Sequence, residues 1–207
     1  MNFQDLPEEL ILKVLSYSEP KDLIASGQVS KRFRTISHDN SLWQRVNLSK
    51  KIVKTEFLEM ILDKGCKSLN LSESIFVGSL SLRQKSQLRD LDLSGLEENI
   101  EVPEVILASC SSLEKLVIGN ELTPEIAASI CLNGKTLQLL DLSGAIGDHS
   151  SYLQIIQCCQ ELKEVDLKDC ESFQYSCLSD NELEFVAKNI AKDVVKLNLS
   201  TLGKFFY

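Results

Sequence analysis

The chain holds 207 residues, of which 43% are hydrophobic and only 6% aromatic, and its formal net charge is -8. That length buries roughly 70% of the surface an unfolded chain exposes, and the scarcity of rings makes the core aliphatic. Residues 1–56 carry nine Lys/Arg against seven Asp/Glu, and residues 57–207 carry thirteen against twenty-three. So acidic a body argues against nucleic acid as a partner, since phosphate binding needs clustered Lys and Arg. It argues equally against an anionic membrane.

Met1 to Leu10 include Asp5, Glu8 and Glu9 and lack the basic flank and apolar run of a secretion signal. No stretch approaches the roughly 18 apolar residues of a membrane span. Seven cysteines, an odd number, fit reduced thiols in the cytoplasm and/or nucleus.

Residues 1–45 predict three short helices. Asp5-Leu6-Pro7-Glu8 reads as a helix start, with Asp5 placed to cap and Glu8 three residues on. Leu6, Leu10, Ile11, Val14 and Leu15 then share one helical face. Pro20 opens a second helix through Leu23 and Ile24, which Gly27 is expected to end. Val29, Phe33 and Ile36 make a third stripe, and Asp39-Asn40-Ser41 leads into Leu42 and Trp43. Three such helices are a poor core alone. They are expected to pack on the rest of the chain, on a partner, or on both.

From Trp43 onward the chain repeats. Trp43-x-x-Val46-x-Leu48 is followed by Cys66-x-x-Leu69-x-Leu71, Leu88-x-x-Leu91-x-Leu93 and Leu113-x-x-Leu116-x-Ile118. Leu137-x-x-Leu140-x-Leu142, Leu162-x-x-Val165-x-Leu167 and Val194-x-x-Leu197-x-Leu199 continue the series. The last apolar positions step by 23, 22, 25, 24, 25 and 32 residues, and all steps but the last fit the leucine-rich-repeat period of about 20–29. The final two apolar residues of each copy are two apart, so they share one face of a short strand.

Helical stripes lie between the copies. They are Phe57, Leu58, Ile61 and Leu62; Val102, Val105 and Ile106, with Pro103; Ile126, Ala127 and Ile130 after Thr123-Pro124; and Leu153, Ile156 and Gln157 before Cys158-Cys159. One strand plus one helix per unit predicts an α/β chain. Residues 1–45 form the helical segment, and 46–207 hold about six to seven repeats. The expected solenoid is right-handed, with its curved parallel sheet inside the arc. The long last step contains the polar run 172–181, read as an extended loop before a helix around Leu183 to Ile190.

Leu6-Pro7-x-Glu9-Leu10, Leu15, Leu23, Val29-Ser30-Lys31-Arg32-Phe33 and Ser41-Leu42-Trp43 resemble the F-box motif in order and spacing. That family often has Cys-Lys-x-Trp where this chain has Ser30-Lys31-Arg32-Phe33. The resemblance implies a non-catalytic substrate-recognition subunit of a cullin-RING ubiquitin ligase. It implies docking on the Skp linker subunit, and through it on a cullin and a RING protein, while the repeats hold a protein substrate. Leu6, Pro7, Leu10, Ile11, Leu15, Leu23, Val29, Phe33, Leu42 and Trp43 would then bind the linker. The rival expectation is a repeat scaffold outside the ubiquitin system, with a helical cap.

The residues between the buried strand positions are expected on the concave face. One column reads Asn47, Asn70, Asp92, Val117, Asp141, Asp166, Asn198, and the column before it Arg45, Ser68, Asp90, Lys115, Leu139, Glu164, Lys196. Strands lie about 4.8 Å apart, so these columns bring acidic groups close. The plain reading is a wet strand face. The sharper one is a substrate surface of Asp90, Asp92, Lys115, Asp141, Glu164, Asp166 and Lys196 that takes a basic partner.

Other chemistry is thin. Cys158-Cys159, Cys170 and Cys177 cluster, but no Cys-x-x-Cys pair exists and only His38 and His149 are available, so the thiols read as core filling. No Gly-rich phosphate loop or Gly-x-Ser-x-Gly elbow appears, and Asp148-His149 reads as loop. No catalytic residue, cofactor or metal is expected. Beyond the last strand, Leu202, Phe205, Phe206 and Tyr207 are the candidates for a lid folded over the final repeat; F-box repeat proteins usually run on for more repeats, so the resemblance implies a shortened form with a makeshift lid.

Overall fold

The computed structural model describes residues 6–96, 101–119, 121–170 and 194–198. The first segment forms α1 (Glu8–Leu15), α2 (Pro20–Val29), α3 (Lys31–Ser37) and a 3-10 turn (Asn40–Trp43). Pro7 is the residue before α1, with no side-chain cap, and Asp5 lies outside the described residues. Arg32 ties α3 back to the chain start, donating to the Leu6 carbonyl at 2.6 Å and pairing with Glu8 at 3.7 Å. Asp39 opens the 3-10 turn by accepting from the Ser41 amide and hydroxyl, and those bonds hold its carboxyl below the usual range.

Gly27 does not end α2, which continues to Val29. The glycine is there for close approach: a Cβ would lie 2.8 Å from Ser37 Oγ of α3, and Arg34 Nε donates to the Gly27 carbonyl at 3.1 Å. A helix-interior glycine costs about 1 kcal/mol, which the α2–α3 contact offsets.

Beyond the 3-10 turn, strands and helices alternate as β1 (Arg45–Asn47), β2 (Ile52–Lys54), α4 (Thr55–Asp63), β3 (Ser68–Asn70), β4 (Ile75–Val77), β5 (Asp90–Asp92) and α5 (Glu101–Ser109). They continue as β6 (Lys115–Val117), β7 (Glu121–Leu122), α6 (Pro124–Cys131), β8 (Leu139–Asp141), β9 (Ile146–Gly147), α7 (His149–Cys158), β10 (Glu164–Asp166) and β11 (Lys196–Asn198). Seven strands pair in parallel in the order β1-β3-β5-β6-β8-β10-β11, and β2-β4 and β7-β9 make two further parallel pairs.

The register follows the repeat. Val46, Leu69, Leu91, Leu116, Leu140, Val165 and Leu197 stand opposite one another along the sheet. All but Leu197, on the edge strand, are buried. With the inner faces of α4 to α7 they form one aliphatic core that also takes in Ile11, Leu23, Phe33 and Trp43. Each fully buried Leu or Ile contributes roughly 1.5–3 kcal/mol, so the sheet is held mainly by this stack.

Three expectations need correction. The unit between β4 and β5 has no helix. Leu80 and Leu82 there alternate at strand spacing, and the segment is strapped to α4 through Ser81 to Glu59 and Gln84 to Asp63, both at 3.0 Å. In α7 the buried stripe is Ser151, Tyr152, Ile155 and Ile156 rather than Leu153 and Gln157, and the Tyr152 hydroxyl donates to the Ala145 carbonyl at 2.8 Å. Asp148-His149 is a helix start, with Asp148 Oδ1 accepting from the Ser151 amide at 2.7 Å. By contrast Thr123 caps α6 as its sequence predicts, accepting from Ile126 at 3.1 Å. The polar run 172–181, the helix expected around 183–190 and the residues expected to form a lid lie outside the described residues.

The turn after α6 is tight. A Cβ on Gly134 would run into the Cys158 carbonyl of the next helix. Gly134→Ala is therefore expected to cost about 1–3 kcal/mol, read as a lower urea midpoint with an unchanged m-value.

Candidate partner-binding surfaces

The ten residues that the motif resemblance marks for linker binding separate into two groups. Ile11, Leu15, Leu23, Phe33, Leu42 and Trp43 are core residues of this chain, and Leu6 is partly buried against them. Pro7, Leu10 and Val29 stand at the surface. Val14, Tyr17 and Ile24 join them there. The division on α1 follows from helix geometry: Ile11 and Leu15 stack four apart and face inward, while Leu10 and Val14 stack four apart on the neighbouring stripe. Leu10, Val14, Ile24 and Val29 are 51%, 48%, 46% and 64% exposed, an unusual apolar load for so small a segment.

Trp43 joins this segment to the sheet. Its ring meets Phe57 of α4 edge-on at 6.1 Å between centroids, its Nε1 donates to the Ser37 carbonyl at 2.9 Å, and Lys64 Nζ sits 5.9 Å from the ring. Lys64 also donates to the His38 carbonyl at 2.8 Å, and Lys51 pairs with Glu19 at 3.3 Å.

On the sheet face turned away from the helices, Asp90, Asp92, Asp141, Glu164 and Asp166 are half-buried, and Lys115 and Lys196 are exposed. Lys115 stands in register with Asp90, and Lys196 pairs with Glu164 at 3.5 Å. Only Asp141 and Asp166 are acidic neighbours in register, because Asp92 lies between Asn70 and Val117. Amides relieve part of the charge: Asn70 donates to Asp92 at 3.1 Å and Asn198 to Asp166 at 2.8 Å. Lys115, Val117, Leu139, Asp141, Glu164, Asp166 and Lys196 line a shallow depression.

The Asn/Asp column has a structural role that its sequence reading missed. The Oδ1 atoms of Asn47, Asn70, Asp92, Asp141 and Asp166 each accept from the backbone amide two residues on, at 2.9–3.1 Å. The residue three after each, Lys50, Glu73, Gly95, Gly144 or Asp169, has positive φ. Five strands of the sheet, β1, β3, β5, β8 and β10, thus end in the same Asx-type turn. The signal was present as Asn/Asp-Leu-Ser/Lys runs after the buried strand position, but a polar strand face explains those residues equally well.

Among the described residues, no three His, Cys, Asp or Glu side chains gather as a metal site, and no helix is long and apolar enough to cross a membrane.

Residues 3–49 match the F-box-like family model. An F-box/FBD/LRR-repeat protein of Arabidopsis thaliana is 26% identical over 184 residues, covering 80% of this chain and 43% of that protein. A ubiquitin ligase complex F-box protein of Saccharomyces cerevisiae is 40% identical over 52 residues, 25% of this chain and 8% of its own. F-box/WD repeat-containing protein 7 of Drosophila melanogaster is 51% identical over 39 residues, 19% and 3% respectively. The matched part is under half the length of each of these relatives. On this match the chain carries an F-box-like domain at residues 3–49, ahead of a parallel α/β body similar at low identity to an F-box/LRR-repeat protein.

Proposed function

We propose that the chain is a non-catalytic substrate-recognition subunit of a cullin-RING ubiquitin ligase. Pro7, Leu10, Val14, Ile24 and Val29 dock the Skp linker subunit, which bridges to the cullin and RING protein. The buried members of the motif hold those side chains in place. Residues 46–207 act as a right-handed leucine-rich-repeat arc whose concave sheet face holds the target protein. The reading rests chiefly on one observation: an F-box-like segment whose core is complete while several large aliphatic side chains stay in water. Within the F-box proteins, the Leu42-Trp43-Gln44 step into Asn47-Leu48-Ser49 is most like S-phase kinase-associated protein 2.

The test is direct binding of the purified chain to purified Skp linker. Submicromolar binding is expected, and its absence leaves the repeat scaffold with a helical cap as the reading. The target surface has a separate test. Asn already makes the strand-ending turn at positions 47 and 70, so Asp92→Asn, Asp141→Asn and Asp166→Asn together remove charge without removing that bond. The triple variant is expected to melt within a few degrees of the native chain. It should bind a basic target more weakly, with a shallower salt dependence. Unchanged, salt-independent capture would leave the column a purely structural role.

A further inference from the structure

Two thiols stand apart from the core-filling cysteines. Cys66, Cys110, Cys159 and Cys170 are buried. Burial pushes Cys66, Cys110 and Cys170 up to about 11 and Cys159 up to about 12, so these four stay protonated and unreactive near neutrality. Cys158, the last residue of α7, is exposed, and Cys131, the last of α6, is half-buried.

The two helices pack side by side. The Cys131 sulfur approaches the Gln154 carbonyl oxygen at 3.7 Å, one turn before Cys158 on the same helix. The backbones meet at the same place: a Cβ on Gly134 would strike the Cys158 carbonyl and lie 3.2 Å from the Cys131 carbonyl oxygen. A disulfide needs Cα atoms about 4.4–6.8 Å apart, and helix ends packed this closely, each closing on a cysteine, bring the two thiols towards that range.

We propose that Cys131 and Cys158 form a reversible disulfide, a redox-modification site that clips α6 to α7 across the strand β8 between them. The oxidant is a peroxide. Cys158, the exposed sulfur, attacks as thiolate: its S–O bond forms, the peroxide O–O bond breaks, and hydroxide leaves with the thiol's proton as water. Cys131 then attacks the Cys158 sulfenic sulfur. The S–S bond forms, the S–O bond breaks, and a second water carries off the Cys131 proton. Two thiols lose two electrons in all, and one peroxide gains them. Cys158 is exposed and Cys131 only half-buried behind it, so the peroxide meets Cys158 first and Cys131 takes the resolving step. β8 carries Leu139 and Asp141 in the outward depression, so the clip fixes the strand at its centre. The pair stands on the helix geometry alone and is independent of the ubiquitin-ligase reading.

The test treats the reduced full chain with stoichiometric hydrogen peroxide. Two titratable thiols should disappear, a non-reducing digest should give one 131–158 linked peptide pair, and the melting temperature should rise by about 5–10 °C. Dithiothreitol should reverse all three. Cys158→Ser, at an exposed position, should fold normally and show none of them. Cys131→Ser should leave Cys158 as a sulfenic acid that dimedone labels. Phenylarsine oxide, which bridges two thiols without oxidation, should bind the native chain one to one and at least tenfold more weakly in either single variant. Sulfinic acid at Cys158 of the native chain, a Cys158-linked dimer, or unchanged arsenical binding in the variants overturns the proposal.

Discussion

Trp43→Ala is expected to destabilise the chain by about 3–5 kcal/mol, the usual range for truncating a buried Trp. For a domain of this size that lowers the melting temperature by roughly 6–20 °C. Three contacts go at once: the edge-on meeting with Phe57, the Nε1 bond to the Ser37 carbonyl, and the ring under Lys64. Lost burial accounts for most of the deficit, and the Ser37 carbonyl is left without its buried donor. Trp43 bridges α3, α4 and the start of β1, so the helical segment should loosen before the sheet does. Hydrogen exchange in α1 to α3 should then rise further than in β5 to β8. Trp43→Phe, which keeps a ring against Phe57 but loses the donor, should recover about half the deficit. A Trp43→Ala melt within two degrees of the native chain would show that the helical segment is only loosely attached.

The strands were legible in the sequence because the physics there is local and repeated. A pair of apolar residues two apart, returning every 22–25 residues for most of the chain, has one way to bury itself, and the register from Val46 to Leu197 follows it. The Thr123-Pro124 helix start was legible for the same reason, since cap and first turn are neighbours in the chain.

What escaped the sequence depends on partners far along it. Gly27 reads as a stop signal until Ser37 is seen against it. Residues 78–89 lie where a repeat expects a helix, yet form none, and Glu59 and Asp63 of α4 tie them down at Ser81 and Gln84. Tyr152 is one residue off the expected stripe, and the Ala145 carbonyl that accepts its hydroxyl belongs to the turn after β8. The candidate docking surface was legible as a motif but not as a surface. Spacing put Leu10, Ile11, Val14 and Leu15 on one broad face, and only the packing of α1 on α3 decided which stripe turned inward.

That division supplies the sharpest test of partner binding. Leu10→Glu with Val14→Glu is expected to weaken Skp-linker binding at least about 100-fold. Loss of two apolar anchors costs on the order of 2 kcal/mol or more, and burying a new carboxylate at either place adds to that. Folding should barely change, because both side chains already stand half in water and surface substitutions fall within about 0.5 kcal/mol each. Ile11→Glu, one residue along the same helix, should do the opposite: it puts a charge into the closed core and should unfold the helical segment outright. The motif residues Leu6 and Pro7 make a milder probe when both are changed to Ala, since Leu6 is only partly buried and Pro7 precedes α1 without a side-chain cap. Circular dichroism and titration calorimetry on the three variants separate the effects. If the Leu10→Glu, Val14→Glu chain binds the linker as tightly as the native one, the outward stripe of α1 is not the docking surface. The exposed side chains of α2, Ile24 and Val29, would then have to carry the contact without it.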